Sequence, residues 1–474
     1  MFSKINLIIK AIEKKNSIII GLGTNLSGNL ILFLTTMYMT NNVTEDQYGQ
    51  FRLTFALVSI LVISLMLGRD SSVLYFYQKE KTDKAILEEV FSGLALVVVG
   101  CLALYYCDDY ILKYLLNGHV SRENYHLSIL MIPLWAAYNL LTPVVRVKGF
   151  INTSFILSNL IQRVLRFPFL LAFVWLGYNN FWGLAWSMIL SQLLLLVVLI
   201  VYVSSLLSWR LPNPLSFFSR FGYSFSLGMN AILLAVAGKI DVIVIGKLST
   251  ISNVAIYDIV TSLAVVSLFP YIALSKSYEP KLFNFFENTE KHPAYKKNFT
   301  LSLSLTTVAG LFFILFSQDV LALFGKEYIA GSLALIIISI FFIMIACTGA
   351  VNEWMTMNSY ARINFFILLI SGIVNVFLCY LLVPDYGLPG AAVALGGALL
   401  FSKVAAMVFI AYKHNVGMLI VNYKQLLIVV SFVAISLVSH DLPLIIKCVI
   451  YLLLSSLLIL LNNSIRQRVL KLGN

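Results

Sequence analysis

Residues 159–175 read NLIQRVLRFPFLLAFVW. The stretch has the length and apolar character of a membrane-spanning helix, but it carries Arg163 and Arg166 near its middle. At 1.5 Å rise per residue from Asn152, the two arginines sit roughly 17 to 21 Å along the helix, near a bilayer midplane. At 100° per residue, Asn152, Asn159, Gln162, Arg163 and Arg166 fall on one stripe about 100° wide. Each central arginine costs on the order of 3 kcal/mol to insert. Facing water or an anion removes that cost, and so does pairing with a buried acid. The acids within reach of a bundle interior are few: Asp70 and Glu353 toward the cytoplasmic side, Asp241 and Asp258 toward the outer side. Lys403 adds a third central cation. The balance favours a cationic cavity over a closed ion-pair network, with Arg163, Arg166, Lys403, Asn159, Gln162 and Asn25 as its substrate-binding residues.

The rest of the chain has the same character. Of its 474 residues, 60% are hydrophobic and 11% charged. Soluble domains run nearer 25% charged. Apolar runs begin near residues 17, 51, 85, 127, 152, 181, 221, 255, 299, 329, 363, 389, 424 and 443, which predicts fourteen transmembrane helices in one all-α polytopic bundle. The opening MFSKINLIIKAIEKKNSIIIG resembles a signal peptide. The run from Ser17 to Met39 is too long for one, so a retained first span behind a short amphipathic leader is expected. With both termini placed in the cytoplasm, 22 of the 33 basic residues fall on the cytoplasmic side, 5 outside and 6 within spans. This bias follows the positive-inside rule. It accounts for the net charge of +12 without nucleic acid, by topology and attraction to anionic membrane lipid. The five cysteines and five histidines show no metal-ligand spacing. No metal or organic cofactor is expected, and the extramembrane segments are too short for a catalytic domain.

The halves resemble each other. VTEDQYGQF carries Tyr48, and ISNVAIYDIV carries Tyr257 at an offset of 209. WLGYNNFWGLA carries Gly183, and VPDYGLPGAA carries Gly390 at an offset of 207. Two agreeing offsets predict a duplicated six-helix unit. The chain then divides into an N-terminal lobe (1–210, helices 1–6), a C-terminal lobe (211–414, helices 7–12) and two additional helices (415–474). The two pseudo-symmetric lobes would share a central cavity.

Weaker features surround the stripe. Ser17, Gly21, Thr24, Asn25 and Gly28 share one side of the first span, suited either to close helix packing or to lining a cavity. Arg69 and Asp70 form a local ion pair or a cytoplasmic gate. Asp241 carries a coupling proton or cation, or pairs with Lys239. Asp258 and Glu353 are further candidates for gating or ion coupling.

NVFLCYLLVPDYGLPGAAVAL (375–395) is similar to the NxxLNxxLIPxYGxxGAAxAT pattern of polysaccharide exporters, with Cys379 as a departure. KIDVIVIGKLSTISNVAIYDIV (239–260) and FGKEYIAG (324–331) resemble two further landmarks of that group. Together they span the chain in order. The chain resembles the Wzx-type O-antigen flippases of the multidrug/oligosaccharidyl-lipid/polysaccharide exporter superfamily. The resemblance implies movement of undecaprenyl-pyrophosphate-linked oligosaccharide from the cytoplasmic to the outer leaflet of the bacterial inner membrane. It also implies alternating access coupled to a proton or sodium ion, and contact with other polysaccharide assembly proteins. A lipid II flippase or a drug/cation antiporter on the same scaffold is the alternative transporter. A membrane polymerase or ligase is the enzyme alternative, although the outer segments offer it little beyond Asp108, Asp109 and Glu123.

Reporter fusions test the orientation. Fusions after Gln50 and Tyr386 should report as external and one after Arg220 as internal; an external signal at Arg220 would break the even-numbered lobe.

Overall fold

An apolar solvent leaves a backbone amide no partner but its own helix, and the chain is helical accordingly. A computed structural model describes residue 13 and residues 17–208, 216–278, 282, 291–358, 360–414 and 423–461; the leader, Glu13 apart, lies outside them. Among the described residues there is no strand. Among the described residues, eight helical segments are long and apolar enough to cross a membrane, from Glu45–Glu80 to Ala361–Lys413, and three shorter apolar helices accompany them. This is a multi-pass membrane protein.

The chain forms two compact units, residues 1–247 and 248–474. The first contains α1 (Ser17–Asn42), α2 (Glu45–Met66), α3 (Arg69–Glu80), α4 (Asp83–Tyr106), α5 (Met131–Val147), α6 (Gln162–Trp175), α7 (Phe181–Leu206) and α8 (Ser216–Ala237). It extends beyond residue 210 because α8 packs on α2 and α3. The break between α2 and α3 explains how. Leu67 and Gly68 both adopt left-handed conformations, with φ of 47° and 77°. A side chain on Gly68 would lie 2.3 Å from the Ser224 carbonyl and 2.4 Å from the Gly228 amide. A side chain on Gly228 would in turn lie 2.5 Å from the carbonyl carbon of Leu67. Two facing glycines thus let the α8 backbone touch the α2–α3 corner.

Charge closes the same junction. Arg69 is 1% exposed and Glu89 fully buried. The Arg69 Nη1 donates to both Glu89 oxygens at 3.0 and 3.1 Å. Ser72 also donates to Glu89, and Ser224 does so at 3.3 Å. Arg220 of α8 reaches Glu80 at 2.8 Å, Glu88 at 2.7 Å and Glu89 at 3.6 Å. The partner of Arg69 is therefore Glu89, not Asp70. Consecutive helical residues point about 100° apart, so Asp70 cannot share the side of Arg69. Asp70 is half-buried and hydrogen-bonds with Ser71.

Outside the apolar spans, Asp108 accepts from Arg122 at 2.6 and 2.9 Å and pairs with His126 at 2.9 Å. The Arg122 guanidinium holds this carboxyl well below the usual carboxylate range.

The second unit contains α9 (Ile251–Tyr278), α10 (Lys291–Leu315), α11 (Ser332–Ala346) and α12 (Ala361–His414). α12 breaks at Gly387, whose φ of 57° and ψ of −131° are not helical. The apolar runs beginning near 363 and 389 lie on either side of this break. Asp258 is buried in α9.

Removing one partner of a buried ion pair costs about 3–5 kcal/mol. Glu89→Gln should lower stability by an amount of that order in thermal unfolding, whereas Asp70→Asn should leave it near wild type. Equal effects would mean that Arg69 does not depend on Glu89.

Candidate functional site: a cationic cavity in the first unit

The helix preceding α6 is not regular. Residues Ile151–Phe155 are α-helical, Ile156–Ile161 form a π-helical turn, and α6 follows at Gln162. A π turn takes in an extra residue and shifts the register of all that follows. The stripe predicted from a uniform 100° step is therefore split. Asn152 is buried below the turn. Asn159 is half-buried within it, and its carbonyl faces Gly28 of α1. Gln162, Arg163 and Arg166 lie beyond the turn and line a cavity of about 250 Å³.

The residues lining this cavity all belong to the first unit. α1 contributes Leu32 and Thr35, α2 contributes Phe55, and α5 contributes Met131, Leu134 and Trp135. α7 contributes Met188, Ile189, Ser191 and Gln192. Sequence reasoning missed Trp135, Ser191 and Gln192. The signal for the last two was present: Ser191–Gln192 interrupts an otherwise apolar run in α7.

The two arginines are held differently. The Arg163 Nη1 donates to Asn29 Oδ1 at 2.7 Å. Asn29 is fixed in turn by donating to Asn25 Oδ1 at 2.9 Å. Asn25 thus acts one step behind Arg163 and is not part of the cavity wall. Arg166 is 8% exposed. Its guanidinium lies 5.7 Å from the centre of the Phe51 ring, and one Nη is 3.8 Å from the Met39 sulfur. Its Nε has no partner among the described residues. A desolvated cation–π contact returns on the order of 2 kcal/mol and leaves the buried Nε unanswered. Among the described residues neither arginine is in an ion pair. Gln162 donates to Gln192 Oε1 at 3.0 Å.

The other predicted residues lie elsewhere. Asp241 is buried in the first unit, with Oδ1 accepting from the Val242 amide at 2.9 Å. Lys403 belongs to the second unit, where its ammonium lies 5.2 Å from the Tyr271 ring centre. The Tyr271 hydroxyl donates to the Gly349 carbonyl at 2.9 Å. Glu353 is half-buried in that unit, and its Oε2 has no partner among the described residues.

The cavity thus carries two guanidiniums and no carboxylate among its lining residues. A family model described as "Polysaccharide biosynthesis protein" matches residues 14–277, more than half of the chain. The chain belongs to this family. No curated protein matches this polysaccharide biosynthesis family member in sequence. Among solved structures, the lipid II flippase MurJ in an inward closed conformation matches with a TM-score of 0.74 at 14% identity, covering 96% of this chain and 99% of that one. An inward-facing multidrug resistance MATE family transporter of the MOP superfamily matches with a TM-score of 0.60 at 13% identity, covering 85% and 98%. A MOP superfamily transporter from Pyrococcus furiosus, described as having a binding pocket of reverse polarity, matches with a TM-score of 0.51 at 13% identity, covering 86% and 95%. These likenesses show that this family member shares its fold with those solved structures.

The approach of α1 to the π turn sets the position of Arg163. A side chain on Gly28 would meet the Asn159 carbonyl at 1.9 Å, whereas one on Gly23 would meet nothing within 4 Å. Gly28→Ala should therefore lower the thermal midpoint, while Gly23→Ala should hold or raise it, because alanine favours the helix by about 0.5–1 kcal/mol. Unchanged stability in Gly28→Ala would show that the helices separate freely.

Proposed function

We propose that this protein is a flippase that carries undecaprenyl-pyrophosphate-linked oligosaccharide, of the O-antigen or a similar polysaccharide, from the cytoplasmic to the outer leaflet of a bacterial inner membrane. The observation that carries the proposal is the cavity walled by Arg163 and Arg166 without a carboxylate among its lining residues. A pyrophosphate entering an apolar region needs fixed positive charge, and the planar guanidinium fork suits its oxygens. Gln162 and Gln192 offer neutral hydrogen bonds to the sugars. Membership of the polysaccharide biosynthesis family supports this cargo class.

The proposed topology has fourteen spans with both termini cytoplasmic, arranged as two related six-helix lobes and two further helices. The paired landmarks support the duplication. Tyr48 and Tyr257 are both fully buried. A side chain on Gly183 would strike the Tyr178 carbonyl, and one on Gly390 the Leu382 carbonyl. A proton or sodium ion drives the cycle, with Asp241, Asp258 and Glu353 as coupling carboxylates and Lys403 as a further cation beside the path. Asp70 borders the cytoplasmic gate.

A lipid II flippase is the second reading, favoured by the extent of the fold likeness to MurJ. Its cargo carries the same pyrophosphate, so the arginines would serve it equally. Loss of surface polysaccharide with normal cell-wall synthesis on deletion of the gene would favour the first reading, and lysis the second. An organic-cation antiporter fits poorly, because guanidiniums repel such a cargo. An enzyme using Asp108 fits poorly too, because Arg122 and His126 already occupy that carboxylate.

Arg163→Ala and Arg166→Ala should each reduce export at least tenfold, a loss of about 1.4 kcal/mol or more of anion binding, while the protein remains inserted and folded. Lysine at either position should restore part of the activity, because charge returns without the fork. Aspartate should be inactive. Full export with alanine at both positions would defeat the cationic-cavity account.

A further inference from the structure

One donor in the cavity is neither charged nor used. Gln192 is 8% exposed and sits on α7. Its Oε1 accepts from Gln162, and its Nε2 is buried with no partner among the described residues. A buried amide left unpaired costs about 1–3 kcal/mol. Turning the amide over moves the deficit from nitrogen to oxygen without removing it, because only one end of Gln192 can meet Gln162. A hydroxyl satisfies either orientation, since it both donates and accepts.

The surroundings narrow the ligand further. Ser191, the neighbour of Gln192, lines the same cavity. So does the half-buried Trp135, whose ring is steadied by Phe55 at 4.8 Å between centroids. The Ser191 hydroxyl donates to the Met188 carbonyl at 3.0 Å and keeps its oxygen free to accept, so an indole beside an amide donor and a hydroxyl acceptor matches a sugar ring, which carries apolar C–H faces and a polar rim. The volume sets a limit. At about 250 Å³ the cavity lies below the roughly 300–1,000 Å³ of pockets that enclose drug-sized ligands. A cavity of this size is matched to one sugar ring beside the phosphates, and further sugars would extend past its open side.

We infer that Gln192, Ser191 and Trp135 form a subsite for the single sugar attached to the diphosphate, with Gln192 hydrogen-bonding a ring hydroxyl while Arg163 and Arg166 take the phosphates. The inference rests on the flippase reading and adds to it a division of labour: the guanidiniums read charge, and Gln192 reads the first sugar. Sugars further along the chain lie outside this cavity and contribute nothing to its affinity.

The test uses the full-length protein in lipid nanodiscs and native mass spectrometry. Three probes are titrated: undecaprenyl pyrophosphate, the same lipid carrying one N-acetylglucosamine, and the same lipid carrying a disaccharide that begins with it. The wild type should bind the one-sugar lipid on the order of tenfold more tightly than the bare lipid, the gain of one good hydrogen bond and a stacked ring. The second sugar should add nothing. Gln192→Met, close in shape but without the amide, should bind the bare lipid as the wild type does and lose the sugar's gain. The double variant Gln162→Met/Gln192→Met leaves no orphaned Gln162 and, whatever its affinity for the bare lipid, should bind the one-sugar lipid no more tightly than the bare one. Equal binding of bare and one-sugar lipids by the wild type would overturn the subsite, as would a gain that persists in both variants or a further gain from the second sugar. Failure of all three lipids to bind would instead sink the flippase reading, and the subsite with it.

Discussion

A charge held away from water must be answered from within the protein, and the first unit gives two different answers. At the α3–α4–α8 junction the answer is closed: Arg69 and Arg220 are enveloped by Glu80, Glu88 and Glu89, with Ser72 and Ser224 completing the coordination of Glu89. At the cavity the answer is open. Among the described residues, Arg163 has the side-chain amide of Asn29 as its partner, and Arg166 an aromatic ring and a thioether. The closed cluster fastens three helices together. The open pair leaves electrostatic demand for something that enters from outside. Closed and open sites stand in one compact unit, so the fastening of α3, α4 and α8 helps hold the scaffold on which the cavity is built.

Backbone contacts give this scaffold its precision. Gly68 against Gly228, and Gly28 against the Asn159 carbonyl, bring helices closer than any side chain would allow. The second of these contacts sits at the π turn just before Gln162. The turn is what sends Gln162, Arg163 and Arg166 to the cavity while Asn152 stays buried below. The position of the guanidiniums is thus set by main-chain geometry on two helices, and Asn25 and Asn29 refine it.

Much of this was legible in the sequence. Apolar runs of membrane length, the charge bias and the two central arginines are local signals that any neighbourhood would preserve. The ordered landmarks around 239–260, 324–331 and 375–395 were sufficient to point to the exporter group. Three features were not legible, each for a physical reason. The π turn has no strong sequence signature, so a uniform helical step wrongly kept Asn159 on the wall with Arg163. The neighbours of α6 are chosen by packing, so the contribution of Gln192 and Trp135 could not be read from spacing. Arg69 and Asp70 read as a local ion pair or a cytoplasmic gate, because the partner Glu89 lies 20 residues away and Arg220 comes later still. The pair Glu88–Glu89 at the start of an apolar run was the available warning that a distant cation must reach it.

That distance has a consequence for how the protein is made. Glu80 and Arg220 are 140 residues apart in the chain. At a synthesis rate of about 5–20 residues per second, roughly 7–28 seconds pass between them. For that interval α3 and α4 have left the ribosome while the guanidinium that neutralises Glu80 and Glu88 does not yet exist. Arg69 can cover Glu89 at once and Lys84, 3.8 Å from Glu88, can cover that carboxylate, but Glu80 must wait in water at the membrane surface or within the insertion machinery. The first unit therefore cannot finish folding as its early helices emerge. Its completion is timed by the arrival of α8.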